Sequence, residues 1–140
     1  MMSEQAQITQ LLQHSKVIAI VGISANPQRP SYQVAAYLQS HHYTLLLINP
    51  LEAGNTILGL PCYESLTQAI QKTATQIDIV DCFRRAELIP DIIEEAIFVN
   101  AKAVWMQQGI INDLAANTAR NAGLMVIMDR CIKIDHMLLS

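Results

Sequence analysis

Val17-Ile18-Ala19-Ile20-Val21-Gly22 runs directly into Ile23-Ser24-Ala25-Asn26-Pro27-Gln28-Arg29-Pro30-Ser31. The first part is an unbroken apolar run, as expected of a strand covered on both faces. It stops at a glycine and opens into a small polar loop stiffened by two prolines. Val34, Ala35, Tyr37 and Leu38 then recur at helical spacing, so the loop joins a strand's carboxyl end to a helix's amino end, with Ser31 as the predicted N-cap. Loop amides and a helix N-terminus that converge in this way suit an anion, and the phosphates of a nucleotide are the natural candidates.

Working outward, Ser3 to His14 reads as a lead-in helix through Ile8, Leu11 and Leu12. Thr44 to Ile48 is a second strand, stopped by Asn49-Pro50, and a loop through Gly54 and Gly59 reaches Pro61. Ser65-Leu66-Thr67-Gln68 has the pattern of a capping box and starts a short helix. Ile77 to Cys82 is the third strand, and Pro90 sits in the first turn of a helix that buries Ile92, Ile93, Ala96 and Ile97. Lys102 to Met106 is the fourth strand, Asn112 caps a helix that ends at Gly123, and Leu124 to Met128 is the fifth strand. Asp129 to Ser140 is a tail of unassigned form. Strands alternating with helices predict an α/β, doubly wound, five-stranded parallel sheet in the order 3-2-1-4-5, with helices on both faces and a crevice between the tips of strands one and four.

The chain's 140 residues, 51% of them hydrophobic, predict one domain with a real core over 1–140. The longest apolar runs fall far short of a membrane span, and no secretory signal is readable, so the predicted location is cytoplasmic. A net charge of −3 without a basic stripe argues against nucleic acid. The three cysteines, Cys62, Cys82 and Cys131, are scattered and fit reduced thiols, and the four histidines show no metal-ligand spacing.

In a doubly wound sheet the ligand lies across the strand tips. The residues there are Gly22, Ser24, Asn26, Arg29 and Ser31; then Asn49-Pro50; then Phe83-Arg84-Arg85; then Gln107-Gln108-Gly109; and last Asp129-Arg130-Cys131. Each has a bland alternative: a glycine easing a turn, solvated arginines, an inert thiol. The loop spacing is not G-x-G-x-x-G, and Asn49 stands where a nicotinamide-dinucleotide domain places a carboxylate, while Glu52 lies beyond Pro50. Asp81 and Asp129 read as strand-end residues. Cys131, between Arg130 and Lys133, has a setting that would favour the thiolate.

Taken together and in order, V-G-I-S-A-N-P-Q-R-P-S, I-N-P, I-L-G-L-P-C-Y, D-C-F-R-R, K-A-V-W-M-Q-Q-G-I and M-D-R-C-I-K-I resemble the motifs of the small stand-alone CoA-binding proteins, from Lys16 to Ile134. That family has a Rossmann-like fold related to the N-terminal domain of the succinyl-CoA synthetase α-subunit. The resemblance implies that Gly22, Ser24, Asn26 and Ser31 hold the CoA pyrophosphate with Arg29 near a phosphate. It further implies that Asn49 and Pro50 border the adenosine, and that Phe83, Arg84, Gln107 and Gly109 line the crevice over nucleotide and pantetheine. Ile132 stands where the family often has proline, which bears on any role for Cys131.

The implied function is a module that binds coenzyme A or an acyl-CoA. No Ser-His-Asp, Cys-His or paired-carboxylate set falls at the strand tips, so the chain reads as a binder more than an enzyme. The competing readings are an NAD(P)-dependent oxidoreductase and a thiol-redox protein that forms a mixed disulfide with CoA through Cys131. An unidentified protein partner or a homo-oligomer is compatible with all three.

Overall fold

A computed structural model of the chain describes residues 2–139. Seven strands form one sheet: β1 (Val17–Val21), β2 (Thr44–Ile48), β3 (Thr56–Ile57), β4 (Leu60–Tyr63), β5 (Ile79–Cys82), β6 (Ala103–Met106) and β7 (Met125–Ile127). Their order is β3-β4-β2-β1-β5-β6-β7, and every pair is parallel except the β3–β4 hairpin. The helices are α1 (Glu4–His14), α2 (Pro30–Ser40), α3 (Leu66–Thr73), α4 (Ile89–Phe98), α5 (Asp113–Asn121) and α6 (Ile132–Met137). No helix among the described residues is long and apolar enough to cross a membrane.

Strand alternation divides the core in two. Ala19, Val21, Val80 and Cys82 face α3, α4 and α5, whereas Ile18, Ile20, Ile79 and Trp105 face α1, α2 and α6. Both faces are covered, which is why the central strands read as continuous apolar runs.

The doubly wound α/β class and the five main strands are as predicted, but the strand order is not 3-2-1-4-5. The predicted third strand, here β5, pairs with β1 on the side away from β2. The place beside β2 belongs to β4, which the sequence reading had made part of a loop. Counting β4 restores the doubly wound pattern among six parallel strands, and the crevice falls between β1 and β5. The β3–β4 hairpin was hidden because its two-residue turn is Leu58-Gly59, with φ of 55° and 75°, in place of the usual Asn-Gly. Pro61, which also spoke against a strand, sits on the outer side of β4, opposite Thr56.

Two local expectations also change. The N-cap of α2 is Arg29, and Ser31 lies inside the first turn, where its hydroxyl accepts from the Ser24 amide at 3.0 Å. The C-terminal tail contains α6, pinned by a two-pronged Arg130–Asp135 pair with both contacts at 2.8 Å. Ser65 and Asn112 cap α3 and α5 as predicted.

Candidate functional site

Two cavities open side by side at the carboxyl ends of the strands. The first, about 550 Å³, is lined by Gly22, Ser24, Arg29, Ser31, Asn49 and Phe83, together with Ile23, Ala25, Pro30, Leu51 and Glu52. The second, about 510 Å³, is lined by Phe83, Arg84, Gln107 and Cys131, with Pro30, Val34, Arg85, Gln108 and Ile110. Pro30 and Phe83 form a shared wall.

The loop builds the first cavity by hydrogen-bonding to itself. Ser31 Oγ takes the Ser24 amide, Ser24 Oγ takes the Asn26 amide at 3.1 Å, and Asn26 Oδ1 takes the Gln28 amide at 3.0 Å. These are side-chain turns that hold a short loop in one shape. Among the described residues, the amides of Ala25, Ser31 and Tyr32 have no acceptor, and Arg29 forms no ion pair. Free amides at a helix start beside an unpaired guanidinium make an anion cradle, with the helix dipole adding to it.

Gly22 makes room for the protein itself. Its φ is +93°, and a Cβ there would lie 2.8 Å from both the Phe83 carbonyl oxygen and Arg84 Cδ. The close approach it permits is therefore to the protein's own β5 exit. Asn49 is likewise committed to the scaffold: its Nδ2 donates to the Ile23 carbonyl at 2.8 Å and its Oδ1 accepts from the Leu51 amide at 2.9 Å. Glu52, set aside in the sequence because it follows Pro50, is returned to the first cavity by the 3-10 turn over Pro50–Glu52.

Pro50 borders a smaller cavity of about 300 Å³ on the α3–α4 side, which Arg84 also reaches. Asn26 and Gly109 line none of these three cavities. Asn26 shapes the loop, and the Gly109 amide donates to Asp129 Oδ1 at 2.7 Å, tying the exits of β6 and β7 together.

A family model described as a CoA binding domain matches residues 16–137. This chain belongs to the CoA-binding domain family. It is 38% identical over 132 residues to the uncharacterized protein YneT of Bacillus subtilis (strain 168), spanning 94% of this chain and 93% of that protein. Of solved structures, cell-free ID.343 from Thermus thermophilus superposes with a TM-score of 0.88 at 28% identity, covering 96% of this chain and 98% of the other. A hypothetical protein from Pyrococcus horikoshii OT3 gives 0.86 at 33% identity, covering 96% and 91%.

In this CoA-binding domain β5 carries an unusual buried group. Asp81 shares its sheet face with Phe83, one alternation along, and its register neighbours are Ile20 and Trp105. It is fully buried, neither carboxyl oxygen has a hydrogen-bond partner, and burial pushes its pKa well above the usual carboxylate range. A strand-end reading from the sequence could not find this, because nothing in D-C-F-R-R distinguishes a buried aspartate from an exposed one.

Cys131 stands at the N-cap of α6 and is half-buried, whereas Cys62 and Cys82 are buried. The two cations expected to act on it are engaged elsewhere. Arg130 pairs with Asp135 and Glu4, and Lys133 lies 5.6 Å from the centre of the Tyr37 ring. Gln107 is buried and accepts from the Ile132 amide at 3.2 Å, so it fixes the start of α6 as well as lining the cavity. Val34 and Ile110, which complete the apolar wall, are separated from one another in sequence and carried no signal of a site.

Proposed function

We propose that the protein binds coenzyme A across the tips of β1 and β5, as a binding module. The observation that carries this reading is the cradle of free Ala25, Ser31 and Tyr32 amides beside the unpaired Arg29, open to a cavity of about 550 Å³. It offers concentrated donors in a chain of net charge −3, which is what several phosphates require of an acidic protein. The loop of Gly22, Ser24, Asn26 and Ser31 holds the pyrophosphate, partly through the amides that its side chains position. Asn49 borders the adenosine, with Pro50 shaping the turn behind it, and Phe83, Arg84 and Gln107 face the pantetheine, with Gly109 steadying the β6 exit.

Isothermal calorimetry with CoA, dephospho-CoA, NAD and NADP tests the reading. CoA is expected to bind most tightly; if NAD or NADP binds and CoA does not, the reading is wrong. The dinucleotide arm has structural meaning, since Glu52 in the first cavity is a suitable partner for a ribose diol.

A second reading rests on Cys131, the one half-buried thiol among three and part of the second cavity. Its thiolate would attack CoA disulfide, forming a protein–CoA mixed disulfide and releasing one CoA thiolate. Incubation with CoA disulfide should give a reducible adduct on Cys131 that is absent in Cys131→Ser. An adduct spread over all three cysteines, or none, removes this reading.

A further inference from the structure

The second cavity is larger and more apolar than the end of a pantetheine arm needs. Its apolar walls are Pro30 and Val34 of the α2 segment, Phe83 after β5, Ile110 after β6 and Cys131 at the head of α6; Arg84, Arg85, Gln107 and Gln108 complete the lining. No carboxylate lines it, and its volume of about 510 Å³ nearly equals that of the nucleotide cavity next door. Pantetheine passing Phe83, Arg84 and Gln107 would leave the carbon surface between Val34 and Ile110 in water. Surface of this kind gains about 25 cal/mol per Å² when an apolar group covers it, and pockets of a few hundred cubic ångströms lined by carbon with a few polar groups are where small apolar ligands settle.

From this we infer that the second cavity is an acyl pocket and that the preferred ligand is a CoA thioester carrying a neutral aliphatic chain of several carbons. The inference rests on the CoA reading above. Continuity supports it: Pro30 and Phe83 wall both cavities, so a molecule whose phosphates sit at the Gly22–Ser31 loop passes directly into the second cavity on its way across the sheet. The chain lies between Val34 and Ile110, two residues from opposite sides of the crevice whose side chains are wholly apolar.

Calorimetry with CoA, acetyl-CoA, hexanoyl-CoA and succinyl-CoA tests the inference. Each buried methylene is worth roughly a threefold to fourfold gain, so hexanoyl-CoA should bind at least about tenfold more tightly than CoA. Ile110→Trp, which fills the pocket from a half-buried position, should abolish that preference, so that the variant binds hexanoyl-CoA no more tightly than CoA; Ile110→Asp, which makes the wall polar, should do the same by another route. Equal or weaker binding of hexanoyl-CoA than CoA overturns the acyl pocket while leaving CoA binding intact. Tighter binding of succinyl-CoA than hexanoyl-CoA also overturns it, since the arginines would then be selecting a carboxylate. A hexanoyl preference that survives in both folded Ile110 variants places the chain elsewhere and overturns it as well. If neither CoA nor any thioester binds, the CoA reading itself fails, a pattern distinct from the other three.

Discussion

The two cavities share a wall and differ in how they are made. The one at the Gly22–Ser31 loop takes its donors from a single stretch of chain, because they are backbone amides that every residue carries and three short side chains are enough to aim them, although Asn49, Leu51, Glu52 and Phe83 close it. The other draws its walls from α2, from the exits of β5 and β6, and from the head of α6. Polar recognition can thus be encoded locally, while an apolar chamber has to be assembled from side chains distant in sequence.

The substitution that breaks the contrast most severely is Gly22→Val. A Cβ meeting the Phe83 carbonyl and Arg84 Cδ, at a φ that disfavours side chains, is expected to cost roughly 2–5 kcal/mol of stability. It should damage both cavities together, since Phe83 borders each. Chemical denaturation followed by calorimetry checks this; a variant as stable as the parent would mean that the β5 exit yields easily.

A milder pair separates the cavities. Arg29→Ala and Arg84→Ala should each weaken CoA binding by about 1.5–3 kcal/mol if the charge-assisted contacts form. Arg29 borders only the first cavity, so its loss should affect CoA and hexanoyl-CoA equally. Calorimetric changes near zero would identify solvated arginines.

Asp81 lines neither cavity, so Asp81→Val should raise stability by about 1–3 kcal/mol at neutral pH through removal of an unsatisfied buried group. Burial raises the folded-state pKa of Asp81 above its unfolded value. The unfolded chain releases the proton first, and parent stability therefore falls as pH rises above the ordinary carboxylate range. The advantage of the variant should accordingly shrink in acid; thermal melts from pH 4 to 8 that show a constant or reversed gap would exclude a strained buried carboxyl.

The smallest effect concerns α6. Tyr37 Oη and His136 Nδ1 are 2.7 Å apart, and the His41 and His136 rings lie 4.9 Å apart, with Tyr43 and Lys133 completing the cluster. Burial, and then the neighbouring His41, hold His136 below the usual histidine range. The folded state resists a proton that the unfolded chain accepts, so the contribution of His136 is present above about pH 6.5 and is lost as the pH falls below it. Modest thermal destabilisation by pH 5.5 is expected, and His136→Gln should flatten it. Because α6 borders only the second cavity, acid should weaken hexanoyl-CoA more than CoA.

How much could be read without coordinates varied with the range of the interactions. The Gly22–Ser31 loop, the caps Ser65 and Asn112 and the five main strands were all legible, because strand periodicity, capping and turn chemistry depend on neighbours a few residues away. The belonging to a CoA-binding family was legible too, from motifs in a fixed order. The β3–β4 hairpin was not, since its strands are short and Leu58-Gly59 gives no ordinary turn signal. Nor was α6, whose six residues are fewer than two turns and are held by the Arg130–Asp135 pair and the Gln107 side chain.

By itself, then, the sequence determined the α/β class, the strand-loop-helix turn from Gly22 to Ser31 and the strand tips on which candidates had to lie, because each follows from local backbone chemistry and hydrophobic period. Only the tertiary structure decided which strand flanks β1, what Gly22 makes room for, that Glu52 returns to the site, and that Asp81 is buried without a partner. Those facts depend on which distant side chains share a face, and on how much water packing leaves between them. Neither can be written in a short stretch of chain.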